Sequence, residues 1–163
     1  MVDRMDRAIL GALAKNARMS NKELATLVGL SQSACLERVR RLTERGILRG
    51  SHAEIDPAAL GIGVQALVSV QLKRHTRSAV AAFERKAISL PQVVTLFHVT
   101  GRTDYLVHTV SQDMDHLRDF TLDAITSLPE VQRVETSLLF KTTRKAGWPD
   151  LTEEESAASG HSV

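Results

Sequence analysis

The sequence predicts an α+β chain of two domains. An N-terminal winged helix-turn-helix is followed by a C-terminal ferredoxin-like βαββαβ unit. Three observations carry that prediction. Residues 20–50 place a small residue, a glycine and a capping serine where two helices joined by a tight turn need them. Residues 65–142 alternate between period-two and helical spacing in the order strand, helix, strand, strand, helix, strand. Both helices of that second half close on Leu-Pro, at 90–91 and 128–129, a weak sign of duplication.

Residues 3–17 read as a first helix whose apolar side is Met5, Ile9, Leu10 and Leu13. Ser20 and Glu23 have the spacing of a capping box at the start of a second helix. Ala25 permits a close helix crossing, and Gly29 can take the positive φ of the turn. Ser31 stands at the N-cap of a third helix over 32–45, which Gly46 ends. Within it Cys35, Val39 and Leu42 form a buried stripe, and Arg38, Arg41 and Arg45 form a row on one flank. Residues 47–55 predict a small β-hairpin or an extended arm, and Asp56-Pro57 breaks the pattern.

Domain limits follow from these signals: 1–56 for the helical domain, 57–64 for a linker holding Gly61 and Gly63, and 65–145 for the βαββαβ domain. Residues 65–73 alternate as a strand, and Val80, Phe83 and Ala87 give 77–90 a helical face. Residues 93–100 and 104–110 are strands joined across Gly101-Arg102-Thr103. Residues 113–128 read as one helix with Met114, Leu117, Phe120, Ile125 and Leu128 inward, and 131–142 as the last strand. The polar stretch 146–163, acidic at 153–155, is expected to be a mobile tail.

Composition narrows the function. With 43% hydrophobic and 25% charged residues, the chain is ordinary for a globular protein. No apolar run approaches the roughly 18 residues of a membrane span, and no signal peptide is evident, so a cytoplasmic protein is expected. The single cysteine, Cys35, reads as a small core residue. The net charge of +2 is unevenly spread: residues 18–50 hold seven Lys/Arg against three Asp/Glu. A basic helix-turn-helix implies double-stranded DNA as a partner. The six histidines lack metal-ligand spacing, and no nucleophile elbow, P-loop or dinucleotide fingerprint is present. No catalytic residue, metal or cofactor is therefore expected.

Ser31, Gln32 and Ser33 open the third helix and suit base edges or phosphates. Arg38 and Arg41 suit guanine or phosphate equally, while Lys22, Arg40, Arg45 and Arg49 suit phosphates. One such motif makes a small interface, so a homodimer on a near-palindromic operator is expected.

The opening VDRMDRAIL, the stretch CLERVRRL with the ERGIL that follows it, and GRTDYL at 101–106 stand in one order along the chain. Over residues 2–145 this resembles the Lrp/AsnC family, the leucine-responsive or feast/famine regulators of bacteria and archaea. The resemblance implies a RAM-type second domain that binds an amino acid or related metabolite and assembles dimers into higher oligomers, up to octamers. It implies an effector site at Thr100, Gly101, Arg102, Thr103 and Asp104, with Asp104 accepting an α-ammonium and Arg102 attracting a carboxylate. Thr136 would add a hydroxyl. Val134 and Thr136 stand where relatives often carry two threonines. The function implied is an amino-acid-responsive transcriptional regulator associated with the nucleoid. A general DNA-architectural protein is the alternative.

Overall fold

The computed structural model describes residues 2–145 and 147–149, and the chain divides into two compact units, the second being Glu54–Thr142 and the first comprising the described residues on either side of it. The expected mobile tail lies outside the described residues except for 147–149. Among the described residues, no helix is long and apolar enough to cross a membrane.

The first unit is built from α1 (Arg4–Lys15), α2 (Asn21–Val28) and α3 (Gln32–Glu44). Each helix begins on a side-chain cap that satisfies an otherwise orphaned N–H. Asp3 and Asp6 form a capping box at α1, Ser20 and Glu23 form another at α2, and the Ser31 hydroxyl accepts from the Ala34 N–H at α3. Gly29 ends α2 at φ +71°, a conformation that strains any residue bearing a Cβ. The turn leaves α2 and α3 crossing over a core of Ile9, Leu24, Ala25, Cys35 and Leu42, each 2% exposed or less. Val39 packs against this core, so the stripe read from the sequence is the buried one. Burial raises the pKa of the Cys35 thiol, which suits a packing residue better than a reactive one. Residues 49–56 hold neither helix nor strand, so the expected hairpin does not form.

The second unit opens on a short 3₁₀ turn, Pro57–Leu60, capped by Asp56. There follow β1 (Val64–Leu72), α4 (Arg77–Ser89), β2 (Val93–His98), β3 (Tyr105–Ser111), α5 (Met114–Phe120) and β4 (Val131–Leu138). The sheet is antiparallel with spatial order β2-β3-β1-β4. The expected single helix over 113–128 is divided. After Phe120 the backbone widens into a π-helical segment, Thr121–Thr126, where the Thr126 hydroxyl donates to the Thr121 carbonyl. β4 ends four residues before expectation because its partner β1 begins at Val64; Ala66 pairs with Leu138, and the last rung is Leu139 N–H to the Gln65 carbonyl.

Alternation in β1 and β3 sorts the sheet into two faces. Val68, Val70, Leu72, Tyr105 and Val107 are buried with Phe83 and Ala87 of α4 and with Phe120 and Ile125. Pairing puts Leu67, Ser69, Gln71, Leu106, His108 and Val110 on the other, helix-free face. Gly63, read from the sequence as a linker residue, is instead a close approach: a Cβ there would stand 2.2 Å from the Gln112 carbonyl oxygen.

Candidate functional site

α3 offers a helix with one packed side and a polar N-terminus. The Asn21 side-chain amide donates to the Gln32 carbonyl at 2.9 Å, tying the first residue of α2 to the first residue of α3. Gln32 and Ser33 are exposed beside the cap, and Lys22 is exposed on α2. At about 100° per residue, Gln32, Leu36, Arg40 and Ser33 fall within one arc roughly 60–160° from buried Cys35.

The arginines do not form the free row expected. Arg38 lies near 300° on the same wheel, toward α1. Its guanidinium donates to Asp3 at 2.6 Å and to Asp6 at 2.7 Å, and its side chain is only 24% exposed. Arg38, expected to face DNA, is thus engaged by both aspartates of the VDRMDR opening and braces α3 against α1. Asp3 is held below the usual carboxylate range, first by the Asp6 backbone N–H and then by Arg38.

Arg40 is exposed but paired across its own helix with Glu37 and Glu44. These neighbours orient its guanidinium along the outer face, and Arg40 in turn holds the Glu37 carboxyl below its ordinary range. Arg41 lies 4.0 Å from Glu37, and Arg49 donates weakly to the Gly46 carbonyl at 3.4 Å. Arg41, Arg45 and Arg49 are all exposed.

In the second unit an open polar cavity of about 520 Å³ lies on the helix-free face, lined by Ser69, Gln71, Arg102, Thr103, Arg133 and Glu135. Register explains the assembly: Ser69 pairs with Glu135 and Gln71 with Arg133 across β1 and β4. Two guanidiniums and one carboxylate on a polar floor can bind a zwitterion. Arg133 and Glu135 are 2.7 Å apart and satisfy one another.

The expected effector residues are not all brought there. Arg102 and Thr103 line the cavity, and the Thr103 hydroxyl donates to the Val70 carbonyl. Asp104 is engaged elsewhere. Its carboxylate accepts the Leu72 N–H at 2.7 Å, beside the irregularity in the β1–β4 ladder, and also meets the His75 ring at 3.2 Å. It satisfies the end of the central strand β1 and is not among the residues that line the cavity. Thr136 pairs with buried Val68, so it faces the helix side, away from the cavity. Val134 pairs with Val70 and packs against the core, where an apolar side chain serves better than a threonine. Thr100 and Gly101 are exposed in the turn outside the cavity. Ser69, Gln71, Arg133 and Glu135 were missed. Their signal was present as polar residues at alternate positions of two strands, but only the β1–β4 pairing makes them one surface.

His98 and His108 do not meet. His98 stacks on Tyr105 with ring centroids 4.5 Å apart, and His108 bonds to Gln65. Tyr105 is fully buried and donates to Glu84; burial, then this carboxylate, raises the pKa of its phenol. Among the described residues no group of three or more His, Cys, Asp or Glu could hold a metal ion.

Comparison with known proteins extends over both units. Residues 2–43 match the AsnC-type helix-turn-helix domain, and residues 65–149 match the Lrp/AsnC ligand binding domain. The chain is 39% identical over 145 residues to the HTH-type transcriptional regulator AldR of Mycolicibacterium smegmatis, spanning 89% of this chain and 85% of that protein. A Neisseria meningitidis transcriptional regulator solved as its L-Met complex superposes with a TM-score of 0.84 at 32% identity, covering 94% of this chain and 99% of that one. The feast or famine regulatory protein of Mycobacterium tuberculosis, complexed with L-methionine, gives a TM-score of 0.78 at 30% identity, covering 89% and 96%.

Proposed function

The chain belongs to the Lrp/AsnC family of transcriptional regulators, and from that premise we propose that it binds a near-palindromic operator as a homo-oligomer whose assembly responds to an amino acid. The observation that carries the reading is α3 itself: a helix with a capped N-terminus, exposed Gln32 and Ser33, and exposed Arg40 and Arg41, in one chain with a sheet domain that holds a zwitterion-sized polar cavity. In this reading Gln32 and Ser33 meet base edges, and Lys22, Arg40, Arg41, Arg45 and Arg49 meet phosphates. Ser31 serves mainly as the cap, and Arg38 acts through α1.

The effector is a free amino acid. Arg102 and Arg133 take its carboxylate and Glu135 its ammonium, which splits the Arg133–Glu135 pair. The two relatives solved with methionine support this class of ligand. Leu67, Phe97, Leu106 and Val110 on the helix-free sheet face supply apolar surface for a second copy. The location proposed is the nucleoid.

The test is the specificity ratio. A regulator prefers an operator selected from random duplexes over bulk DNA by about 10³ or more at physiological salt. A ratio near one would instead favour a DNA-architectural protein. Thermal-shift screening of the common amino acids, followed by light scattering with each hit, checks the effector half; linkage requires the ligand to favour one assembly state. No thermal response and no change in size would remove it.

A further inference from the structure

One exposed flank of α3 carries a large aliphatic group that the fold does not use. Leu36 is 59% exposed and belongs neither to the core of the first unit nor to the residues packed against it. Its neighbours on the surface are set by helix geometry. Gln32 and Ser33 lie one turn before it and Arg40 one turn after, and Leu36 sits near the centre of the arc they span. Arg38, near 300° on that wheel, is turned away into the α1 aspartates. The isobutyl group thus occupies the middle of the side that the exposed N-terminal polar residues of α3 define.

Such a group meets little in the major groove that rewards it. Donors and acceptors of the base edges leave it unsatisfied, and only one apolar feature is displayed there, the C5-methyl group of thymine. We propose that Leu36 is a specificity-determining residue that packs on a thymine methyl in each half-site, with Gln32 and Ser33 free to read the flanking base edges. Arg40, held along the same side by Glu37 and Glu44, supplies the cation for the adjoining phosphate. The exposed polar side chains of Gln32 and Ser33 flanking Leu36 favour a surface of base edges over a second copy of the chain as the occupant. The assignment rests on the operator-binding reading above.

An operator is first selected from random duplexes with the full-length protein. Each thymine is then replaced singly by deoxyuridine, which removes only the methyl group, and affinity is measured by fluorescence anisotropy at fixed salt. One thymine per half-site should respond, with binding weakened about fourfold, the value of burying one methyl group. Leu36→Ala should bind the thymine and deoxyuridine operators equally, and Leu36→Met should restore the difference. An operator with no responsive thymine overturns the assignment while leaving regulation intact, as does a Leu36→Ala protein that keeps the full deoxyuridine effect. A Leu36→Ala protein that changes oligomer size and not base preference places the residue in a contact between copies, which also overturns it. Failure to select any operator removes the premise and the assignment together.

Discussion

Arg38 has the local sequence context of its neighbours Arg40 and Arg41, yet its environment differs entirely. Two aspartates from α1 converge on it, one of them the α1 N-cap, so a single cation closes the cap and spans two helices. Asp3 titrates below its usual value near 3.8 in the folded chain. A carboxyl depressed by folding stabilises above that value, and the contribution fades as the pH falls through the folded pKa. The helical unit should therefore lose stability in acid below about pH 4. Asp3→Asn should flatten that part of the profile, followed by circular dichroism melts across pH. Arg38→Ala should lower the melting temperature at pH 7 and weaken operator and random DNA alike, because it disturbs the placement of α3 and not a base contact. A selective loss on the operator would return Arg38 to the groove. Phe83, with no exposed surface, anchors the second unit; Phe83→Ala should cost about 3–5 kcal/mol, read by hydrogen exchange of the β1 amides.

Caps and turns set the elements, and most were legible in the sequence because each needs only residues within a few positions. The Ser20–Glu23 box, the Ser31 cap and the Gly29 turn all stand as read, whereas the Asp3–Asp6 box at α1 emerges only in the structure. Ser31→Ala should destabilise by about 0.5–2 kcal/mol, seen as a lower denaturation midpoint, and should weaken DNA binding as the first turn of α3 frays. Signals that depend on a partner were not legible. Gly63 resembles any linker glycine until the chain doubles back to the Gln112 carbonyl. Gly63→Ala should cost about 1–3 kcal/mol through a forced backbone shift, measured by urea denaturation. Likewise the end of β4 depends on where β1 begins, and no local residue marks it. The change from α to π geometry after Phe120 also escaped a reading based on apolar spacing alone.

As a whole the molecule couples a cationic helix-turn-helix to a sheet domain with one bare face. If Lys22, Arg40, Arg41 and Arg49 each neutralise a phosphate, replacing any one by alanine should flatten the salt dependence of binding by about one unit of log K per log salt. The loss should be similar on operator and random DNA, which separates these residues from Gln32 and Ser33. The cavity makes a matching demand on the second unit. Arg133→Ala should abolish the thermal response to the amino-acid effector while leaving DNA affinity in its absence unchanged.

Fold class, the order of elements, the caps and the DNA-facing helix were all written in short-range patterns: hydrophobic period, capping residues, one glycine turn and a local excess of cations. Those patterns act over a few residues, so the linear chain displays them. Three matters were decided by contacts between residues far apart: which arginine pairs with α1, which side Thr136 takes, and which polar residues share a cavity. Arg38 is withdrawn by aspartates more than thirty positions away, and the cavity exists because antiparallel pairing lays 133 and 135 beside 71 and 69. Strand register sets both the neighbour and the face of every side chain, and it is settled only when the sheet closes.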